Sequence, residues 1–356
     1  MSVISEIIQS RRLPDLLKFE NGAPVTAESW EARRLEMLEI LKREEYGYAP
    51  PAPAYVKSEI ISEKTDYAGK AKMLEVKLTM PTDGGDFSFT VMVGIPKKAS
   101  AENKVPTFVY INFRPEIPDK YLPAEDIIDA GFAFVRIYCN DITLNGKDDF
   151  KQGIAPYYDR EKYNWGKISM WAWSASRVFD YLETTDWADL SRVGVSGHSR
   201  LGKTSLWCAA NDTRFAIACA NNSGCSGDAI TRDKKGEHIV DITRNFPFWF
   251  CENYKKYINN EDAMPFDQHF LVAALCPRKV ALGAALDDEW ADPESQYLSA
   301  CEASRAWELL GLTGFVHPDR LPVPGDNFPE GNVTYHLRAG AHFHSTEDWR
   351  YYLTRL

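Results

Sequence analysis

Residues 197–204 read Gly-His-Ser-Arg-Leu-Gly-Lys-Thr, and two incompatible chemistries fit them. Matched to G-x-x-x-x-G-K-[ST], the stretch is a phosphate-cradling loop with Lys203 as phosphate ligand. Read from its third residue, it is a serine on a sharp strand-to-helix turn, with Ser199 Oγ exposed as the nucleophile of an ester hydrolase. A serine hydroxyl is a poor nucleophile at neutral pH. It needs an imidazole to take its proton and a buried carboxylate to fix the tautomer and support the imidazolium. His342, in the glycine-containing stretch Arg338-Ala339-Gly340-Ala341-His342-Phe343-His344, is the candidate base, with His344 as its rival. Four carboxylates compete for the acid: Asp287, Asp288, Glu289 and Asp292, of which Asp288 is preferred. The same acidic run would hold magnesium in the nucleotide reading.

The elements that must position these groups are visible as hydrophobic patterns. Thr26 to Tyr46 reads as a helix stopped by Gly47, and Pro50, Pro51 and Pro53 break the chain after it. Lys72–Thr79 and Phe87–Gly94 alternate apolar with polar residues and are expected as an antiparallel pair of opening edge strands. Near-continuous apolar runs follow at Thr107–Phe113, Ala133–Cys139, Val193–Ser196, Phe215–Ala220 and Val280–Leu286, as strands covered on both faces require. A further strand is expected over Val333–Leu337. Ile168, Trp171, Ala175, Val178 and Leu182 recur at helical spacing, as do Ala300, Ala303, Trp307 and Leu310. Strands alternating with helices after an antiparallel start predict a mostly parallel, doubly wound sheet between helical layers. Residues 1–356 are read as one domain, with a helical segment over about 1–50 and an insertion over about 228–264 above the strand ends.

This organisation favours the nucleophile. A phosphate loop commonly follows an early strand, whereas about half the chain precedes this one, and Ser199 would be a mere spacer in it. Serine, acid and histidine also occur in the chain order of α/β-hydrolases. The strict G-x-S-x-G pattern is not met, because Leu201 takes the place of the second glycine and Gly202 follows one residue late.

Composition excludes other classes. The formal net charge of −10, with basic residues scattered among acidic ones, opposes a nucleic acid partner. No uninterrupted apolar stretch is long enough for a membrane span, and Met1 to Leu17 is too charged for a signal peptide. Seven cysteines, without C-x-x-C spacing or nearby histidine pairs, argue against zinc and for reduced thiols. A cytoplasmic location is expected unless a leader has been removed, and no cofactor is expected.

Gly197-His198-Ser199-Arg200-Leu201-Gly202-Lys203 resembles the G-C-S-R-x-G-K signature of the glucuronoyl esterases, carbohydrate esterase family 15. Arg43 to Gly47, Asn221 to Cys225, Phe246 to Phe250, Pro265 to His269 and Trp290 to Pro293 are similar to bacterial members. The resemblance implies an α/β-hydrolase acting on esters of 4-O-methylglucuronic acid through an acyl-enzyme on Ser199. It implies Arg200 as oxyanion stabiliser through its N–H and guanidinium, and Lys203, Trp290 and Trp249 as sugar contacts. Three departures stand out. Asn222 occupies the place of the glutamate that many members use, so the acid must come from the Asp287–Glu289 cluster or the triad is incomplete. His198 and Phe343 replace the cysteines that tie two loops in fungal members. Phe246 stands where an acidic sugar ligand is expected, for which Glu237 could substitute. Hydrolysis of an acetylated sugar on the same fold and a catalytically silent carbohydrate-binding relative are the alternatives.

Overall fold

The computed structural model describes residues 2–356. Ten strands form one sheet: β1 (Lys57–Asp66), β2 (Ala71–Thr82), β3 (Gly85–Pro96), β4 (Val105–Asn112), β5 (Ala133–Tyr138), β6 (Ala188–His198), β7 (Ile217–Asn221), β8 (Lys279–Ala285), β9 (Asn327–Phe328) and β10 (Val333–Arg338). Their spatial order is β1-β2-β3-β5-β4-β6-β7-β8-β10-β9. The six strands from β5 to β10 in that order are mutually parallel, while β1, β2 and β3 join antiparallel on one side and β9 on the other.

Each apolar run of the sequence is a strand here, and every residue of β4 is buried. Its Val109 and Ile111 belong to one core and its Phe108 and Tyr110 to the other, the alternation of a strand covered on both faces. The larger core includes residues of helices α1 (Val3–Ser10), α2 (Trp30–Leu41), α4 (Cys139–Ile142), α5 (Lys167–Leu182) and α6 (Arg200–Asn211), with α3 (Ala124–Asp129) on the opposite face. Further along, α7 (Ile239–Asn245), α8 (His269–Ala273), α9 (Pro293–Ala303) and α10 (Arg305–Leu309) join the larger core, and α11 (Thr346–Leu353) packs beside α3. Helix α2 continues as a π-helical turn to Tyr46 and ends at Gly47, whose φ of 78° suits glycine.

Two expectations need correction. The β2–β3 pair is not the opening edge, because β1 precedes it. All but one residue of β1 are exposed, and a bulge between Ile60 and Ser62 interrupts its alternation. The apolar series from Ala300 to Leu310 is two helices, interrupted at Ser304, whose Oγ accepts from the Phe315 N–H at 2.8 Å.

The chain leaves β4 for β5 on one side and returns to β6 on the other. Ser199 follows β6 immediately, at the carboxyl ends of the strands beside this reversal, where such sheets place their ligands.

Candidate active site

One residue makes the turn from β6 to α6. Ser199, at φ 58° and ψ −127°, sits between the last strand residue, His198, and the first helical residue, Arg200. A conformation so rare for a side-chain-bearing residue costs about 1–3 kcal/mol and persists only if its surroundings hold it. Ser199 N–H donates to the Asn221 carbonyl at 2.8 Å, and its carbonyl accepts from Gly202 N–H at 2.8 Å and Lys203 N–H at 3.2 Å. Gly197 is required because a Cβ there would lie 2.2 Å from the Leu201 carbonyl oxygen. Leu201 is wholly buried in the larger core, so the second close approach falls to Gly202, where a Cβ would meet Ser223 Cβ at 3.0 Å. A one-residue connection leaves no loop to cradle a phosphate. Lys203 is buried and donates to the Ser223 carbonyl, so the nucleotide reading is discarded.

The acid and histidine loops are drawn together by the strands they follow. Beyond the β8–β10 ladder, Leu286 N–H donates to the Arg338 carbonyl at 2.9 Å and Asp287 N–H to the Gly340 carbonyl at 3.0 Å. Asp288 Oδ2 then lies 2.6 Å from His342 Nδ1. Nδ1 therefore carries the proton it donates, leaving Nε2 as the basic nitrogen. Asn222 Nδ2 donates to the same oxygen at 2.6 Å, held by its own N–H on the Gly283 carbonyl at 2.7 Å. Burial raises the Asp288 carboxyl, but the His342 hydrogen bond and charge and the Asn222 amide outweigh it and hold it below the ordinary carboxylate value. Asp287 and Glu289 face solvent. Asp292 caps α9 by accepting from Ser295 N–H at 3.2 Å and also accepts from Lys235 N–H at 2.7 Å, so it is spent structurally.

Two further histidines lie behind His342. The His198 ring centroid is 4.4 Å from that of His342, and His198 Nδ1 donates to Asn221 Oδ1 at 2.6 Å. Burial first, then the neighbouring His342 and His344, push His198 well below the usual imidazole range, so its ring is neutral. His344 is fully buried, 3.1 Å from the Tyr110 hydroxyl and stacked on Trp349, and burial lowers it to about 4. It is a core histidine. Tyr121 packs edge-on against both His198, at 4.8 Å, and Phe343, at 4.9 Å, joining by aromatic contact the two loops whose disulfide is missing.

Arg200 faces the turn from the other side. The usual second oxyanion donor comes from the loop after β4, but Phe113 N–H there is already given to Asn112 Oδ1 at 2.8 Å. Arg200 has a guanidinium to offer in its place. Its carbon lies 4.4 Å from the Phe113 ring centroid, 5.5 Å from that of Trp171 and 5.8 Å from that of Trp249. Among the described residues it makes no ion pair within 4.0 Å, and its buried Nε has no partner. Burial lowers its pKa, partly opposed by Cys139.

The expected sugar contacts divide. Trp290 is 52% exposed on the acid loop, a free aromatic face. Trp249 is buried, stacked on Phe246 at 3.8 Å with Nε1 donating to Asn145 Oδ1 at 2.7 Å; it is a wall against Arg200 and presents no open platform. Glu237 is buried, and its N–H donates to the Trp290 carbonyl at 2.9 Å, which ties the 228–264 segment to the acid loop. Lys203 is buried, with its ammonium on the Ser223 carbonyl. Sequence reasoning missed the aromatic surround of Arg200 and the His198 contact; no local signal marks either, since Phe113 and Trp171 read as ordinary strand and helix core. All seven cysteines are buried thiols. Among the described residues no helix is long and apolar enough to cross a membrane.

The chain is similar to known proteins along most of its length. A family model described as fungal glucuronyl esterase matches residues 78–311. The carbohydrate esterase MZ0003, from an unknown prokaryotic organism, is 33% identical over 96% of this chain and 88% of its own. A 4-O-methyl-glucuronoyl methylesterase of Schizophyllum commune is 29% identical over 84% of this chain and 74% of its own. The solved glucuronoyl esterase of Solibacter usitatus superposes with a TM-score of 0.88 at 32% identity, covering 96% of each chain. These matches establish an α/β-hydrolase fold and an esterase: the chain belongs to the glucuronoyl esterase family, carbohydrate esterase family 15.

Proposed function

We propose that this chain, acting as one catalytic unit, hydrolyses esters of glucuronic acid or its 4-O-methyl ether through an acyl-enzyme on Ser199. The observation that carries the reading is the His342–Asp288 pair at 2.6 Å, brought by separate strands to the end of the sheet where Ser199 makes its strained turn. Ser199 Oγ attacks the ester carbonyl as His342 Nε2 takes its proton. Asp288 holds the tautomer and stabilises the imidazolium. The oxygen that becomes negative is met by Arg200, through its N–H and its unpaired guanidinium. His342 returns the proton to the departing alcohol, and water then releases the uronate by the same steps. Half-exposed Trp290 offers a face to the sugar, and buried Lys203 and Glu237 are the candidate polar contacts.

The site supports a polymer-borne substrate. Ser199 is half-buried, the His342 side chain is 43% exposed and Trp290 stands in solvent, an open platform that a branched chain can reach. Seven free thiols mean that folding needs no oxidising compartment. The test compares turnover of methyl glucuronate with that of an aryl acetate by the parent and by Ser199→Ala. Preference for the uronate, abolished in the variant, is expected. A large preference for the acetate would assign the fold to deacetylation, and absence of hydrolysis in the parent would leave a silent relative.

A further inference from the structure

We infer that Trp249 and Phe113 are positioning residues for Arg200, holding its guanidinium by their ring faces so that the cation remains uncompensated and its N–H groups remain free. The inference rests on the oxyanion role of Arg200 proposed above. Several buried arginines elsewhere in this molecule are held by carboxylates, Arg338 by Asp348 at 3.1 Å and Arg232 by Asp267 at 3.0 Å, while buried Arg136 donates to the Pro115 carbonyl at 2.6 Å. Among the described residues, half-buried Arg200 has neither a carboxylate nor a carbonyl partner. Its polar neighbour is the Cys139 thiol, a weak acceptor 4.0 Å from Nη2.

The difference has an electrostatic reason. A carboxylate on the guanidinium would use its in-plane N–H groups and cancel the field that a developing oxyanion needs. Ring faces attract the cation through their quadrupole, and the three centroid distances of 4.4, 5.5 and 5.8 Å fall within the effective range of about 6 Å. They offer no competing acceptor in the guanidinium plane. Trp249 is itself fixed, by its stack on Phe246 at 3.8 Å and its hydrogen bond to Asn145 at 2.7 Å, so the wall holds before substrate arrives. Preorganised charge of this kind lowers the barrier because nothing has to reorient as the oxyanion forms.

The experiment measures kcat and KM on methyl glucuronate for five variants, each checked for folding by near-UV circular dichroism. Arg200→Ala is expected to lose about a hundredfold in kcat. Trp249→Leu should lose about tenfold in kcat with KM within about twofold, and Trp249→Phe should recover to within about threefold of the parent. Cys139→Asp, which sets a carboxylate against the guanidinium, should lose as much as Arg200→Ala, while Cys139→Ser stays within about threefold. If Cys139→Asp does not fold, the Trp249 pair decides. An impaired Arg200→Ala with undiminished kcat in Trp249→Leu overturns the inference alone, as does a rise in KM at constant kcat, which would make Trp249 a sugar contact. Undiminished kcat in Arg200→Ala overturns the oxyanion reading itself.

Discussion

Lowering the pH from 7.5 to 5 should destabilise the fold by about 2 kcal/mol through His344 alone. This ring is fully buried, stacks on Trp349 and bonds to the Tyr110 hydroxyl, and burial sets its folded value near 4 against 6.5 in an open chain. Between those values the unfolded chain binds a proton that the folded one refuses. Stability is therefore lost as pH falls through 6.5, to a limit of about 3 kcal/mol at and below the folded value. His198, displaced in the same direction, adds to the loss. Carboxylates act in a lower window: Asp288 and Asp348 are held below their ordinary values, so their stabilisation is complete above about pH 4 and is lost as pH falls through the folded values. Buried Asp228, raised by burial to about 6, and buried Glu45, raised in the same direction, take up protons in the folded state and oppose the histidines between pH 7.5 and 5, so the His344 contribution is read as the difference between parent and variant. Urea unfolding at pH 7.5, 6 and 5, followed by tryptophan fluorescence, measures it in the parent and in His344→Phe. The variant keeps a ring against Trp349 and loses the Tyr110 bond. It should start less stable at pH 7.5, yet lose about 2 kcal/mol less than the parent on acidification. Equal losses in the two proteins would refute the reasoning.

Asp288→Asn should reduce kcat by about ten-thousandfold, while Asp287→Asn, on an exposed carboxylate one residue away, stays within about twofold; comparable losses would remove Asp288 from the triad. Asn222→Asp sets a second carboxyl 2.6 Å from the Asp288 oxygen, where the two must share one proton, so the kcat/KM profile should gain a further ionisation that Asn222→Ala lacks; indistinguishable profiles of the two variants would count against this contact. Gly197→Ala drives a Cβ to 2.2 Å from the Leu201 carbonyl and should cost about 2–3 kcal/mol in urea unfolding, more than Gly202→Ala, whose nearest contact is 3.0 Å.

Much of the frame was legible before any coordinates. Parallel strands buried on both faces leave long apolar runs, and the helices between them leave three-and-four spacing, so β4, β5, β7, β8, β10 and α5 could be placed from pattern alone. What escaped had no such imprint. β1 is mostly polar and stands at an exposed edge, and at the interruption at Ser304 the hydroxyl accepts from the Phe315 N–H, eleven positions on. Trp249, which the resemblance implies as a sugar contact, is found packed against Phe246 and Arg200, a contact that no local pattern announces.

The site divides in the same way. That a serine stands between a β-branched run and a helix, and that acid and histidine follow in order, are facts of local pattern. The sequence preferred Asp288 and His342 without excluding their neighbours, since each set shares one loop and one composition. Tertiary structure chose, through two backbone hydrogen bonds that join the ends of β8 and β10 and set Asp288 against His342, while Asp292 is drawn off to cap a helix and His344 is turned into the core. Pairing of parallel strands across more than fifty residues of chain decides which side chains meet, and no local window contains both partners.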